Sequence, residues 1–144
     1  MRMSHVSSSH SVEEAMYGRN RYKKNRTSTA QPGDLVVMLY EGMLRFTAEA
    51  RQHIHEGDPK NTGYAFTRAL DIVSHLQDTL RMDVAPDLGK ALDTTYTLWT
   101  KLLVEANIHK DIEKLDAVRF QMTELKDAWS TANEEIKRKT PKVA

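Results

Sequence analysis

Between Pro32 and Gly57 the chain carries more apolar residues than one helix face can hold. Leu35, Leu39, Met43, Phe46, Ala50 and Ile54 return at three-to-four spacing and form one core-facing stripe. Val37, Tyr40, Leu44 and Ala48 repeat at the same spacing beside it, so only a narrow line through Asp34, Glu41, Arg45, Glu49 and Gln52 is left polar. A helix apolar around most of its circumference is buried by several neighbours or keeps one face for another molecule. The spacing therefore predicts a central helix, with the second stripe as either core or the wall of a groove.

The rest of the chain reads as three more helices of similar length. Gly57 stops the first, and Asp58-Pro59 restarts the chain as an N-cap followed by proline at the first helical position. A second helix is expected from Pro59 to about Met82, through Ala65, Ala69, Ile72, Val73, Leu76 and Leu80, with Gly63 weakening its first turn by roughly 1 kcal/mol relative to alanine. After a break at Asp83–Asp87, a third carries Leu88, Leu92, Thr95, Trp99, Leu102 and Ala106, flanked by Leu98 and Leu103. The pattern resets at Asn107–Asp111. A fourth helix follows through Leu115, Val118, Met122, Leu125, Trp129, Ala132 and Ile136, with Phe120 on its acidic side. Short connections imply antiparallel neighbours, so the expected fold is all-α, an antiparallel four-helix bundle over residues 32–137. Helices of about 24 residues would be about 36 Å long.

Residues 1–31 are rich in Ser, His, Asn and Arg and lack apolar periodicity, which predicts a mobile N-terminal arm. Ser11 and Glu14 make a capping pattern for one helical turn over Val12–Tyr17, and Thr29 and Pro32 close the arm as a helix start. Residues 138–144 are a basic tail. The formal charge of +1 over 144 residues hides a division: six Lys or Arg against two acids in residues 1–31, and four against none in the last eight. Residues 32–136 hold 11 basic and 18 acidic residues, a net charge of −7. An acidic body repels a phosphate backbone.

No catalytic residues are visible. Cysteine is absent, which removes disulfides, thiolate metal sites and thiol nucleophiles. No serine stands in a nucleophile elbow and no glycine-rich loop can cradle phosphate. The Glu-x-x-His pairs of di-metal bundles are missing; Glu49 and His53, Asp71 and His75, and Glu105 and His109 are spaced as surface pairs. No cofactor or metal is expected. No run reaches the roughly 18 apolar residues of a membrane span, and the N-terminus lacks the apolar region of a signal peptide, so no membrane insertion and a cytosolic location are expected. The run Arg19–Arg26 places five cations around Tyr22, which leaves a nucleic-acid-associated bundle as the alternative to a solubilising arm. The apolar surplus at Val37, Tyr40, Leu44, Leu98 and Phe120 points instead to a groove that takes an amphipathic helix.

Tyr22 ahead of Thr29-Ala30-Gln31-Pro32, then Leu35-Val36-Val37-Met38-Leu39-Tyr40-Glu41-Gly42 and Arg45-Phe46, resemble the flagellar secretion chaperones (FliS). Glu56-Gly57-Asp58, Arg68-Ala69, Asp71-Ile72, Glu105-Ala106-Asn107, Leu125 and Ala128-Trp129 continue the likeness in order. The resemblance implies a cytoplasmic helical bundle that binds the disordered C-terminal segment of flagellin and keeps it from polymerising before export. It implies a displaceable lid at Tyr22 alone, and the apolar surplus then makes Val37, Tyr40, Leu44, Leu98 and Phe120 the expected partner-binding residues beside it. Export-apparatus components or a regulatory partner are further partners compatible with that role. Gln31-Pro32-Gly33-Asp34 departs from the more usual Ser-Pro-x-x of the family, and the arm before Tyr22 is longer than typical.

Overall fold

In a computed structural model, which describes residues 32–141, the punctuation of the sequence becomes four helices: α1 (Pro32–His55), α2 (Pro59–Asp78), α3 (Pro86–His109) and α4 (Ile112–Lys139). The arm, with the turn expected at Val12–Tyr17 and with Tyr22, lies outside the described residues, as do residues 142–144. Among the described residues there is no strand. Each helix packs against its chain neighbour, and α1 also packs against α4, so the four close into an antiparallel ring in which diagonal backbones do not meet.

The turns follow their local chemistry. Gly57 takes φ +68°, the left-handed conformation that ends α1 without a Cβ clash. The Asp58 carboxylate then accepts from the Asn61 backbone N–H at 3.1 Å, capping α2 ahead of Pro59. Lys110 is left-handed at φ 52°, and Asp111 caps α4 by accepting from the Lys114 N–H at 3.0 Å. α2 ends four residues before the expected Met82. The Thr79 hydroxyl donates back to the Leu76 carbonyl at 2.8 Å, the chain peels away, and Met82 lies over α3 at Gly89, where an added Cβ would meet the Met82 sulfur at 2.6 Å.

The predicted stripes supply most of the core: Leu39, Met43, Phe46 and Ala50 on α1, Ala65, Ala69, Ile72, Val73 and Leu76 on α2, Leu92, Trp99 and Ala106 on α3, Leu115, Val118 and Met122 on α4. Phe66, Tyr96 and Leu103 join them, while Leu88 and Ile136, expected in stripes, are more than half exposed. The centre is aromatic. Trp99 meets Tyr40 edge-on at 6.0 Å and Tyr96 at 5.6 Å between ring centroids, and the Tyr40 and Tyr96 hydroxyls hydrogen-bond at 2.8 Å. This bond joins α1 to α3 across the diagonal. Outside it, the Trp99 indole N–H donates to Gln121 Oε1 at 2.8 Å, tying α3 to α4. The first turn of α1 is held to the end of α4 by Asp34, which accepts from Asn133 at 2.7 Å and pairs with Lys137 at 2.6 Å.

Two stability predictions follow from the tyrosine pair. Tyr40→Phe strands the buried Tyr96 hydroxyl and should cost about 1–3 kcal/mol in urea unfolding, whereas Tyr40→Phe with Tyr96→Phe should recover most of the loss. A double variant as unstable as the sum of the singles would contradict the pairing. Burial pushes both hydroxyls above the ordinary tyrosine pKa, so the folded protein holds protons that the unfolded chain releases above about pH 10. Stability should therefore fall as pH rises past about 10, and less steeply in the double phenylalanine variant.

Candidate partner-binding surface

Heptad spacing assigns the expected groove residues to seams of the bundle, since residues seven apart on a helix share a side. Val37, Leu44 and Arg51 form such a set on α1, and Arg51 holds Asp116 of α4 through Nε at 2.8 Å and a second bond at 3.1 Å. Leu44 also offers its carbonyl to Arg119. Val37 and Leu44 thus lie half-buried on the α1–α4 seam, with Leu44 packed against the core. Leu98 and Glu105 form the equivalent set on α3, where Glu105 pairs with Lys114 of α4 at 2.9 Å. Leu98, 43% exposed, therefore opens on the α3–α4 seam. Phe120 stands between Arg119, which turns to α1, and Gln121, which turns to α3, so it faces straight outward and is 65% exposed.

Tyr40 does not join them. The expectation gave it a place on a groove wall, but it is wholly buried, because its ring fills the bundle centre and Tyr96 satisfies its hydroxyl. The structure brings Val37 and Leu44 together, and places Leu98 and Phe120 apart from them on the other flank and the outer face of α4. These surfaces surround α4 rather than line one trough. Tyr22 lies outside the described residues.

An apolar concavity lies at the end of the bundle where α1 begins. A recess of about 200 Å³ is walled by Val36, Leu76, Leu80, Val84, Leu88, Leu92, Tyr96 and Trp129, with Arg81 at its rim. It exists because α2 stops at Asp78 while α4 continues to Lys139, leaving the upper part of α4 facing a loop instead of a helix. Met82, Val84, Leu88, Leu35 and Ile136 are all exposed around this end. The Trp129 indole N–H lies buried beside the Tyr40 hydroxyl yet completes no hydrogen bond. The signal for the recess in the sequence is the apolar content of the connection after α2, with Leu80, Met82, Val84 and Ala85 among its seven residues.

The shifted acids are structural. A hydrogen bond from Arg51 holds the Asp116 carboxyl below the usual carboxylate range, and one from Lys114 does the same for Glu105. His53 pairs with Glu56 at 3.2 Å rather than with Glu49, which is beside Arg45. Among the described residues, no group of three or more His, Cys, Asp or Glu could hold a metal ion, and no helix is long and apolar enough to cross a membrane. The recess, the open seam at Leu98 and the exposed ring of Phe120 are apolar surfaces that the fold leaves uncovered.

The family model for "Flagellar protein FliS" matches residues 15–136, a span that takes in Tyr22 and nearly all of the bundle. The flagellar secretion chaperone FliS of Bacillus subtilis is 33% identical over 111 residues, covering 77% of this chain and 82% of that protein. That of Campylobacter jejuni is 31% identical over 110 residues, covering 76% and 86%. A crystal structure described as a flagellar chaperone from bacteria superposes with a TM-score of 0.69 at 18% identity, over 84% of this chain and 98% of that one, which shows a shared fold. The chain belongs to the FliS family of flagellar secretion chaperones, a non-enzymatic family whose members act by binding.

Proposed function

We propose that this protein binds the C-terminal segment of flagellin in the cytoplasm and keeps it from polymerising until it is exported. The observation that carries the reading is the uncovered apolar surface in a member of this family: the recess bounded by Leu80, Val84, Leu88 and Trp129, and the seam opened by Leu98. A disordered segment that folds on a partner loses several kcal/mol of ordering free energy and compensates by burying about 1,000–3,000 Å². A single pocket cannot supply that area. A recess continued by the seams and outer face of α4 can, provided that the client wraps the bundle. Short amphipathic helices would set their apolar faces on Leu98, Phe120 and the Val37–Leu44 pair, and one large side chain would fill the recess.

Tyr22 enters as the residue that covers part of this surface when no client is bound. It lies ten residues before Pro32, and an extended chain of that length spans up to about 33–36 Å, enough to reach any of these places from the start of α1. The export apparatus would receive the loaded complex.

Titration with a flagellin C-terminal peptide, followed by calorimetry, should give saturable binding with a negative heat-capacity change. Leu88→Asp should weaken it at least about tenfold, the cost of about 1.4 kcal/mol for placing a charge in the apolar contact. Tyr22→Ala should tighten or speed it. No binding at high micromolar peptide would refute the proposal, and unchanged or weaker binding by Tyr22→Ala would refute the lid.

A further inference from the structure

The six arginines among the described residues divide into two groups. Arg51, Arg81, Arg119 and Arg138 each donate to an acceptor within the molecule, respectively Asp116, Asp83, Thr47 and Glu135. Arg45 and Arg68 complete no such bond among the described residues, and both stack on one ring. The guanidinium carbon of Arg45 lies 4.8 Å from the centroid of Phe46 and that of Arg68 lies 5.6 Å from it, while Arg68 also covers Tyr64 at 4.7 Å. Arg45 Nε stands 3.9 Å from Glu49 Oε2, beyond hydrogen-bond distance.

The pair is built by the α1–α2 seam. Tyr64 and Arg68 are one turn apart on α2, and Arg68 crosses to the buried ring of Phe46 on α1. A guanidinium laid on a ring keeps its N–H donors free in its own plane and has already given up much of the rotamer freedom that binding would remove. Tyr64, beneath Arg68, is 58% exposed. Arginine and tyrosine are the side chains that most often carry the energy of a protein interface, and here they are oriented in advance.

Charge chooses the occupant. A guanidinium pairs best with a carboxylate or a phosphate, which accepts two parallel N–H bonds. Glu41 and Glu49 stand one turn to either side of Arg45, and residues 32–136 carry a net charge of −7, so a long phosphate backbone is repelled on leaving the two cations. A short peptide with one or two carboxylates meets the cations without running on over the acids.

We infer that Arg45 and Arg68 bind an acidic segment of a second protein partner, each guanidinium holding a carboxylate and Tyr64 packing against the apolar flank of the segment. In the ring of four helices the α1–α2 seam lies across the bundle from the α3–α4 seam. On the flagellin reading, on which this last step rests, the protein holds its client around α4 and this partner on the far side at the same time.

The test follows the arginine side-chain Nε–H signals of the full-length, nitrogen-15-labelled protein as an acetylated hexaglutamate peptide is added at about 0.1 M NaCl, where the Debye length is about 10 Å. Arg45 and Arg68 should shift together and saturate with one Kd below about 1 mM. Arg68→Gln, with unchanged near-ultraviolet circular dichroism, should weaken the response at Arg45 at least about tenfold, and Arg68→Lys, which keeps the charge and loses the planar fork, should weaken it as well. No shift at about 10 mM peptide, shifts confined to Arg19, Arg21 and Arg26, or full binding by Arg68→Lys would overturn the inference. Tighter binding of inorganic phosphate or of single-stranded oligothymidylate at the same two signals would overturn the choice of an acidic peptide. A saturating flagellin C-terminal peptide should change the hexaglutamate Kd by less than about twofold, and competition would overturn the separate faces. If the flagellin peptide does not bind at all, the flagellin reading fails, while the Arg45 and Arg68 signals still decide the acidic site.

Discussion

A hydrogen bond between two tyrosine hydroxyls organises this bundle. In a ring of four helices the diagonal pairs have no backbone contact, and nothing in the neighbour-to-neighbour seams fixes how far apart they stand. The 2.8 Å bond from Tyr40 to Tyr96 sets that distance between α1 and α3, and Trp99, edge-on to both rings, fills the space around it. Both hydroxyls are desolvated, so each is satisfied by the other and the pair favours one register. Polar groups in a core specify a unique packing when every member is satisfied, and this pair meets that condition.

With the centre fixed, α4 becomes the helix that varies in its surroundings. Against α1 it is bound by the Arg51–Asp116 fork, by Arg119 on Thr47 and by the Asn133–Asp34–Lys137 cluster. Against α3 it has the Trp99–Gln121 bond and the Glu105–Lys114 pair, and Leu98 stays open between them. One flank is riveted and the other is accessible. On the binding role proposed above, a client that needs apolar contact without disturbing the fold would find it on the accessible flank and at the recess beyond it.

The helices were legible because their signals are local: Gly57, Asp58-Pro59, Pro86 and Asp111 each act within a turn of the boundary they set. The core stripes were legible for the same reason. Tyr40 was not, because its partner is 56 residues away and a periodic pattern cannot tell which of two apolar stripes faces the diagonal. Leu98 and Leu103 flank one apolar arc, yet Leu103 is buried and Leu98 is not, a difference that spacing along one helix cannot reveal. The recess was hidden because it depends on the relative lengths of α2 and α4, and the early end of α2 comes from Thr79 folding back on Leu76. Phe120 was conspicuous from the start as an aromatic residue outside every stripe.

The short α2 has a wider implication. Extending it by two turns over Leu80 and Val84 would bury what now lies open and give a more heat-resistant bundle. Most folds gain stability readily by such filling, and the usual loss is function. On the binding role proposed above the unfilled end is a working part of the molecule, and selection for thermal robustness alone would erase it.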